Sequence, residues 1–430
     1  MSEFKIPGIQ FVADNAVVRK YLIKSPRHVL VLAVILVYLA LESYYLFFRF
    51  HGHIQDLSLY RSIASRIMDG QVPFRDFRIE YPIFALLPVL IPGLLSQLAG
   101  GSFESYACWF VLQNLVLGLV TASMISRLDA SGKALPRYLI ATLFAFPIFL
   151  FRFDPFPALL TLIAIANVSR KPFVAGMSLM ASVATKLYGI VLVPVFGLYY
   201  VFNRDIRRML GLMAGIVCIC AILLGGIAWF RMDAAADFMH YHLLRGIQIE
   251  SLAGGILLLL EQFGGVELDV VHSFGAMHLV TPLSAPVLQC INILTPVCFV
   301  AMLAFLGWSF YKTVSISGTI SFRQLNAAAA AQILLFILLN KVLSPQYLIW
   351  LLPLIPFCRF RASLTFTAAL MLTILIFPGH YYSLISKQLL MVIILNIRNA
   401  LLIWLFIELV SEIAPAHVTR RVSARPTPSV

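Results

Sequence analysis

Between residues 28 and 411 the chain is a succession of apolar runs. They fall at roughly 28–48, 104–126, 137–151, 156–168, 173–186, 188–203, 209–230, 286–311, 324–340, 346–358, 362–378 and 388–411, with short polar breaks between them. A stretch of ~20 apolar residues crosses a bilayer as a helix. With no water in the hydrocarbon to satisfy the backbone, helices are the form such runs take. The expected fold is therefore an all-α polytopic membrane protein with about 11–13 transmembrane helices. Composition agrees, since 61% of residues are hydrophobic and 12% charged, where a soluble domain carries about a quarter charged residues. Several runs are short for a full crossing, and short, proline-interrupted helices are tolerated where they line a cavity.

The net charge of +13 would suggest nucleic acid in a soluble protein. Here the basic residues sit in the breaks between apolar runs, as the positive-inside rule asks. Placing Arg127/Lys133/Arg137, Arg170/Lys171 and Arg204/Arg207/Arg208 inside requires residues 82–99, with Pro82, Pro88 and Pro92, to stay external or re-entrant. The resulting plan has a cytoplasmic leader (1–27), a transmembrane domain (28–412) and a disordered cytoplasmic tail (413–430). Two long external loops, 49–103 and 231–285, carry helices that lie along the membrane. The six cysteines lie in or beside apolar runs and read as small hydrophobes. No cleavable signal is evident at the start.

The polar island 51–82 follows the first apolar run and is dense in charge. Residues 56–70 have helical spacing, with Leu57, Tyr60, Ile63, Ala64 and Ile67 on one face. Asp56 is expected at the start of that helix, where a carboxylate both caps and meets the dipole. Three later breaks are placed on the same side as Asp56: 152–155 (Arg152, Asp154), 185–188 (Lys186, Tyr188) and 340–347 (Lys341, Gln346, Tyr347). Charges at bilayer depth cost on the order of 2.5–3.5 kcal/mol, so each needs a partner or a function. Snorkelling competes with anion binding for Lys186 and Lys341. A local ion pair with Arg152 or a helix cap competes with a site role for Asp154. In the second loop, His240 and His242 are two residues apart and do not share a helix face, so they argue poorly for a metal. His380 and Tyr381 sit in a further external loop. No phosphate-binding Gly-rich loop and no dinucleotide fingerprint is present, so any reaction here draws its substrates from the membrane or from outside.

The pattern Asp56-Leu57, Tyr60-Arg61, Asp69-Gly70, Glu80-Tyr81-Pro82, Phe153-Asp154-Pro155, Ala184-Thr185-Lys186-Leu187-Tyr188 and Ser344-Pro345-Gln346-Tyr347-Leu348-Ile349-Trp350-Leu351-Leu352-Pro353 resembles the GT-C glycosyltransferases. It looks most like their polyprenyl-phosphate-mannose-dependent branch, which includes the phosphatidylinositol-mannoside mannosyltransferases. The resemblance implies a GT-C bundle with Asp56 as catalytic base. It also implies a polyprenyl-phosphate sugar donor, a lipid or glycan acceptor, membrane lipids as partners and a plasma-membrane site facing outward. Glu80 and Lys186 look like the family's charged residue before a proline and its lysine near the lipid phosphate. Tyr81 stands where some relatives have lysine, with Arg78 as its substitute. A divalent metal is left open, and nucleic acid is not expected. A transporter with a polar vestibule, or a polysaccharide polymerase or ligase, is the competing reading; the loading of long loops on one side favours the transferase.

Overall fold

A computed structural model describes residues 51–234 and 236–415. The leader 1–27, the apolar run 28–48 and most of the tail lie outside the described residues. The fold is a bundle of helices in the order α1 (His51–Met68), α2 (Leu86–Leu98), α3 (Phe103–Leu128), α4 (Ala134–Phe151), α5 (Pro155–Asn167), α6 (Pro172–Thr185), α7 (Val193–Phe202) and α8 (Ile206–Phe230). There follow α9 (Asp237–Leu244), β1 (Ile247–Gln248), α10 (Leu252–Gln262), β2 (Asp269–Ser273), β3 (Ala276–Val280), α11 (Ser284–Ser317), α12 (Phe322–Leu339), α13 (Phe360–Ile374), α14 (Tyr381–Ile385) and α15 (Leu389–Ile413). Seven helices among the described residues are long and apolar enough to cross a membrane. The chain is a multi-pass membrane protein.

Hydrogen bonds between loops sort the breaks into two ends. At one end Arg137 donates to Cys358 O, Glu412 accepts from Arg323 and from Arg359 N, and Asn203 Oδ1 accepts from Thr319 and Ile320 N. At the other, Arg61 donates to Gly101 O, Ala234 N to Phe74 O, Gln248 N to Lys341 O and Gln262 to Lys387 O. The basic clusters thus gather at the first end and the two long loops at the second, as the charge pattern required. Residues 82–99 stay with the second end: α2 runs beside α3, with Tyr106 donating to Val89 O and Gln113 to Pro88 O.

Close helix approach depends on glycine where α6 crosses α8. A Cβ on Gly176 would stand 2.0 Å from Leu212 O, and one on Gly215 2.1 Å from Phe173 O. No other residue fits without separating the helices.

The fold is mostly helical, as expected of an all-α membrane protein, and four details are corrected. The second loop carries more than helices: β1, β3 and β2 form a small antiparallel sheet there. Its hairpin turns at Phe274 and Gly275, both with positive φ, as a two-residue primed turn needs. No strict alternation marks 269–280 and the turn lacks the usual Asn-Gly, so the hairpin had no clear local signal. Second, 346–358 is not an α-helical span. It forms 3-10 turns at Pro345–Leu351 and Ile355–Phe357, because prolines at 345, 353 and 356 interrupt the α ladder. The third concerns 188–203, which opens with a 3-10 turn (Leu187–Leu192) before Pro194 permits α7. Finally, Asp56 does not start its helix: α1 is already under way at His51. The predicted buried face holds over most of its length: Leu57, Tyr60, Ile63 and Ala64 are buried, and Ile67 is half-buried.

Candidate functional site

One cavity of about 510 Å³ opens among the breaks at the second end. Asp56, Glu80, Tyr81, Lys186, Tyr188, His242, Lys341, Gln346 and Tyr347 line it together with Arg245, His272, Phe274 and Trp350. Four segments distant in sequence thus converge, and most of the expected site residues converge with them.

Arg152 and Asp154 lie behind the wall and do not pair with each other. Arg152 is buried and forms an ion pair with Asp56, whose side chain stays 28% exposed. Asp154 occupies the residue before α5 but caps nothing. Its Oδ1 accepts from Lys186 Nζ at 2.7 Å and from Trp350 Nε1 at 2.6 Å. The next amides explain the division: Phe156 N already donates to Phe153 O and Pro157 has no N–H to offer, so neither amide a cap would serve holds the carboxylate, which turns inward. Arg152 is therefore a partner of the candidate base, not a phosphate contact.

Lys186 ends α6 in extended conformation, which turns its side chain out of the helix line and into the bundle. Its ammonium lies 4.9, 5.6 and 5.9 Å from the ring centres of Phe153, Trp350 and Tyr347. Cation–π attraction and the Asp154 carboxylate hold it there. Tyr347 and Trp350 are three residues apart in a 3-10 turn, where such side chains eclipse. Their rings stack at 4.3 Å, and Tyr188 stacks on the other face of Trp350 at 4.2 Å. Tyr188 is pinned from behind by Thr161 at 2.8 Å. The SPQYLIW run is thus a structural staple for Lys186 as much as a wall of the site.

Arg245 of the second loop and Lys341 of the break 340–347 add cations. Arg245 is buried, its Nε has no hydrogen-bond partner among the described residues, and it lines the cavity. Lys341 donates to Leu243 O at 2.7 Å, and burial together with the Arg245 charge pulls it below the ordinary lysine range. Burial pushes His242 down to about 4, assisted by Arg245, Lys186 and Lys341. This wall carries more positive charge than its neighbours balance. Arg245 has no periodic or motif signal in sequence; only its place in the second loop hinted at it.

Arg78 and His380 do not gather here. Arg78 is 87% exposed and stands 3.4 Å from Asp237, away from the cavity. His380 is exposed and bonds Leu375 O. The side chain of His240 lies outside the described residues. Tyr81 packs edge-on to Phe153 and Tyr60. Phe274 reaches the cavity from the strained hairpin tip and meets Tyr241 at 5.3 Å; bulky residues at positive φ mark over-determined sites.

Glu80 is half-buried, and its carboxylate accepts from Tyr241. Burial pushes it above the ordinary carboxylate range despite Tyr241 and Arg245, which pull the other way. A folded-state value above the unfolded one means the contribution to stability is full at acid pH and is lost as pH rises through the raised value. Thermal unfolding in detergent at pH 4.5 and pH 8 should show a smaller fall with pH for Glu80→Gln than for the wild type. An equal fall in both proteins would refute the assignment.

No protein-family model matches the chain, and no curated protein matches it either.

Proposed function

We propose that the protein is an integral-membrane glycosyltransferase of GT-C type, which moves a sugar from a polyprenyl-phosphate donor to a lipid or glycan hydroxyl. The observation that carries the reading is a single cavity in which a partly exposed carboxylate, Asp56, faces a wall of Lys186, Arg245 and Lys341. Acid on one side and cations on the other suit an acceptor hydroxyl and an anionic leaving group. Leu187, Phe336 and Val342 supply an apolar flank suited to an isoprenoid chain.

In this reading Asp56 takes the proton from the acceptor hydroxyl as its oxygen attacks the anomeric carbon. The bond from that carbon to the phosphate oxygen breaks on the opposite face, and the configuration inverts. The electron pair leaves with the polyprenyl phosphate, whose added charge Arg245 and Lys341 stabilise. Neutral His242 is able to donate or accept a hydrogen bond beside them. The described residues bring no three metal-ligating side chains together, and no step is routed through a metal. The basic clusters at the opposite end support a cavity that faces outward, and placement in the plasma membrane is carried over from the resemblance. The sugar is a hexose or pentose, mannose by resemblance.

The test supplies the purified protein with radiolabelled polyprenyl-phosphate sugars and extracted envelope lipids. A labelled lipid or glycan product supports the reading; no product with any donor overturns it. Arg245→Gln should raise donor KM about 10- to 100-fold, the loss expected for a hydrogen bond to a charged group. A donor KM within twofold of the wild type would remove Arg245 from the phosphate subsite.

A further inference from the structure

Arg398 stands within α15, well inside a membrane-spanning helix, and is fully buried. A guanidinium at that depth is costly and calls for a function. It does not line the cavity. Its Nη2 donates to the backbone carbonyl of Glu250 at 2.8 Å, while Nε and Nη1 have no hydrogen-bond partner among the described residues. Two neighbours on the same helix do similar work. Asn396 donates to Gly255 O at 3.0 Å and Asn399 to Ser251 O at 3.4 Å. Gly255 allows this approach, since a Cβ there would stand 2.8 Å from Asn396 Oδ1.

The segment gripped in this way leads straight to the cation wall. Ser251 donates to Gln248 O at 2.7 Å and caps α10. Gln248 N donates to Lys341 O at 2.9 Å, and β1 begins two residues after Arg245. We propose that Arg398 is a positioning residue for the phosphate subsite: it anchors the Glu250 backbone, and through β1 fixes both Arg245 and the Lys341 segment at the cavity. The inference rests on the function proposed above. Arg398 hydrogen-bonds the carbonyl and not the Glu250 carboxyl, which acts on it only through its charge, so the contact itself does not need that carboxyl. A lysine can keep the contact, and a methionine cannot.

The test compares purified Arg398→Met, Arg398→Lys and Glu250→Gln proteins in nanodiscs, with polyprenyl-phosphate sugar as the varied substrate. Arg398→Met should raise donor KM about tenfold with kcat within about twofold of the wild type, a coupling of ordinary size between linked sites. Arg398→Lys should recover most of the loss, and Glu250→Gln should leave donor KM unchanged. If Arg398→Met does not purify, Arg398→Gln takes its place with the same expectation. Hydrogen exchange of the amides of residues 247–251 reads the anchor without any turnover and should be faster in the methionine variant than in the lysine variant. Unchanged exchange, or a fall in kcat at wild-type KM, overturns the proposal. A wild-type protein inactive with every donor would overturn the functional reading instead, and the exchange result would still judge the anchor.

Discussion

Asp56→Asn is expected to lower transfer by about 10²–10⁴-fold, the usual worth of a positioned general base. The carboxylate is the acid that lines the cavity while held from behind by a buried cation, Arg152. That ion pair fixes one oxygen and leaves the other side of the carboxylate to the acceptor. The same pair complicates the experiment, because removing the acid strands a buried guanidinium, and a broken buried pair is costly. The loss of activity must therefore be separated from a loss of fold. Asp56→Asn combined with Arg152→Met removes the orphaned charge and should restore the apparent melting temperature toward that of the wild type, but not turnover. Arg152→Met alone should keep measurable transfer, since the base remains. An Asp56→Asn protein that turns over within tenfold of the wild type would show that the base lies elsewhere.

The features legible in sequence were those that depend on composition and local period. Apolar runs gave the bundle, basic breaks gave its two ends, and the spacing of Leu57, Tyr60, Ile63 and Ala64 gave the buried face of α1. Asp56, Lys186 and Gln346 were expected at one site and line one cavity. The pairing of charges was not legible, because it is decided by which segments meet. Arg152 and Asp154, two residues apart, turn to Asp56 and to Lys186 respectively, and no local rule assigns them. Arg245 and Trp350 escaped for different reasons. Arg245 sits in a loop with no period. Trp350 is one more apolar residue in an apolar run, and only the 3-10 turn sets it beside Tyr347. Arg398 did carry a signal, since a cation flanked by Asn396 and Asn399 within an apolar helix is rarely idle.

Asp154→Ala should cost about 3–5 kcal/mol of stability, the usual penalty for breaking one side of a buried pair. Its side chain is 1% exposed and that of Lys186 15%, so solvent offers the stranded ammonium little relief. The same carboxylate oxygen also receives Trp350 Nε1, and the stack of Tyr188, Trp350 and Tyr347 loses its peg. The measurement is a fall in apparent melting temperature in detergent. Asp154→Ala combined with Lys186→Met should recover much of it, because replacing a whole buried pair by apolar groups is often near neutral. The double variant also decides what Lys186 does. Lys186 already shares its charge with Asp154 at 2.7 Å, whereas Arg245 makes no close ion pair among the described residues and feels the Glu80 carboxyl only at longer range. Donor KM in the double variant should accordingly stay within a few-fold of the wild type while Arg245→Gln raises it strongly. A rise in the double variant as large as that in Arg245→Gln would make Lys186 a direct phosphate ligand and Asp154 the group that holds it ready.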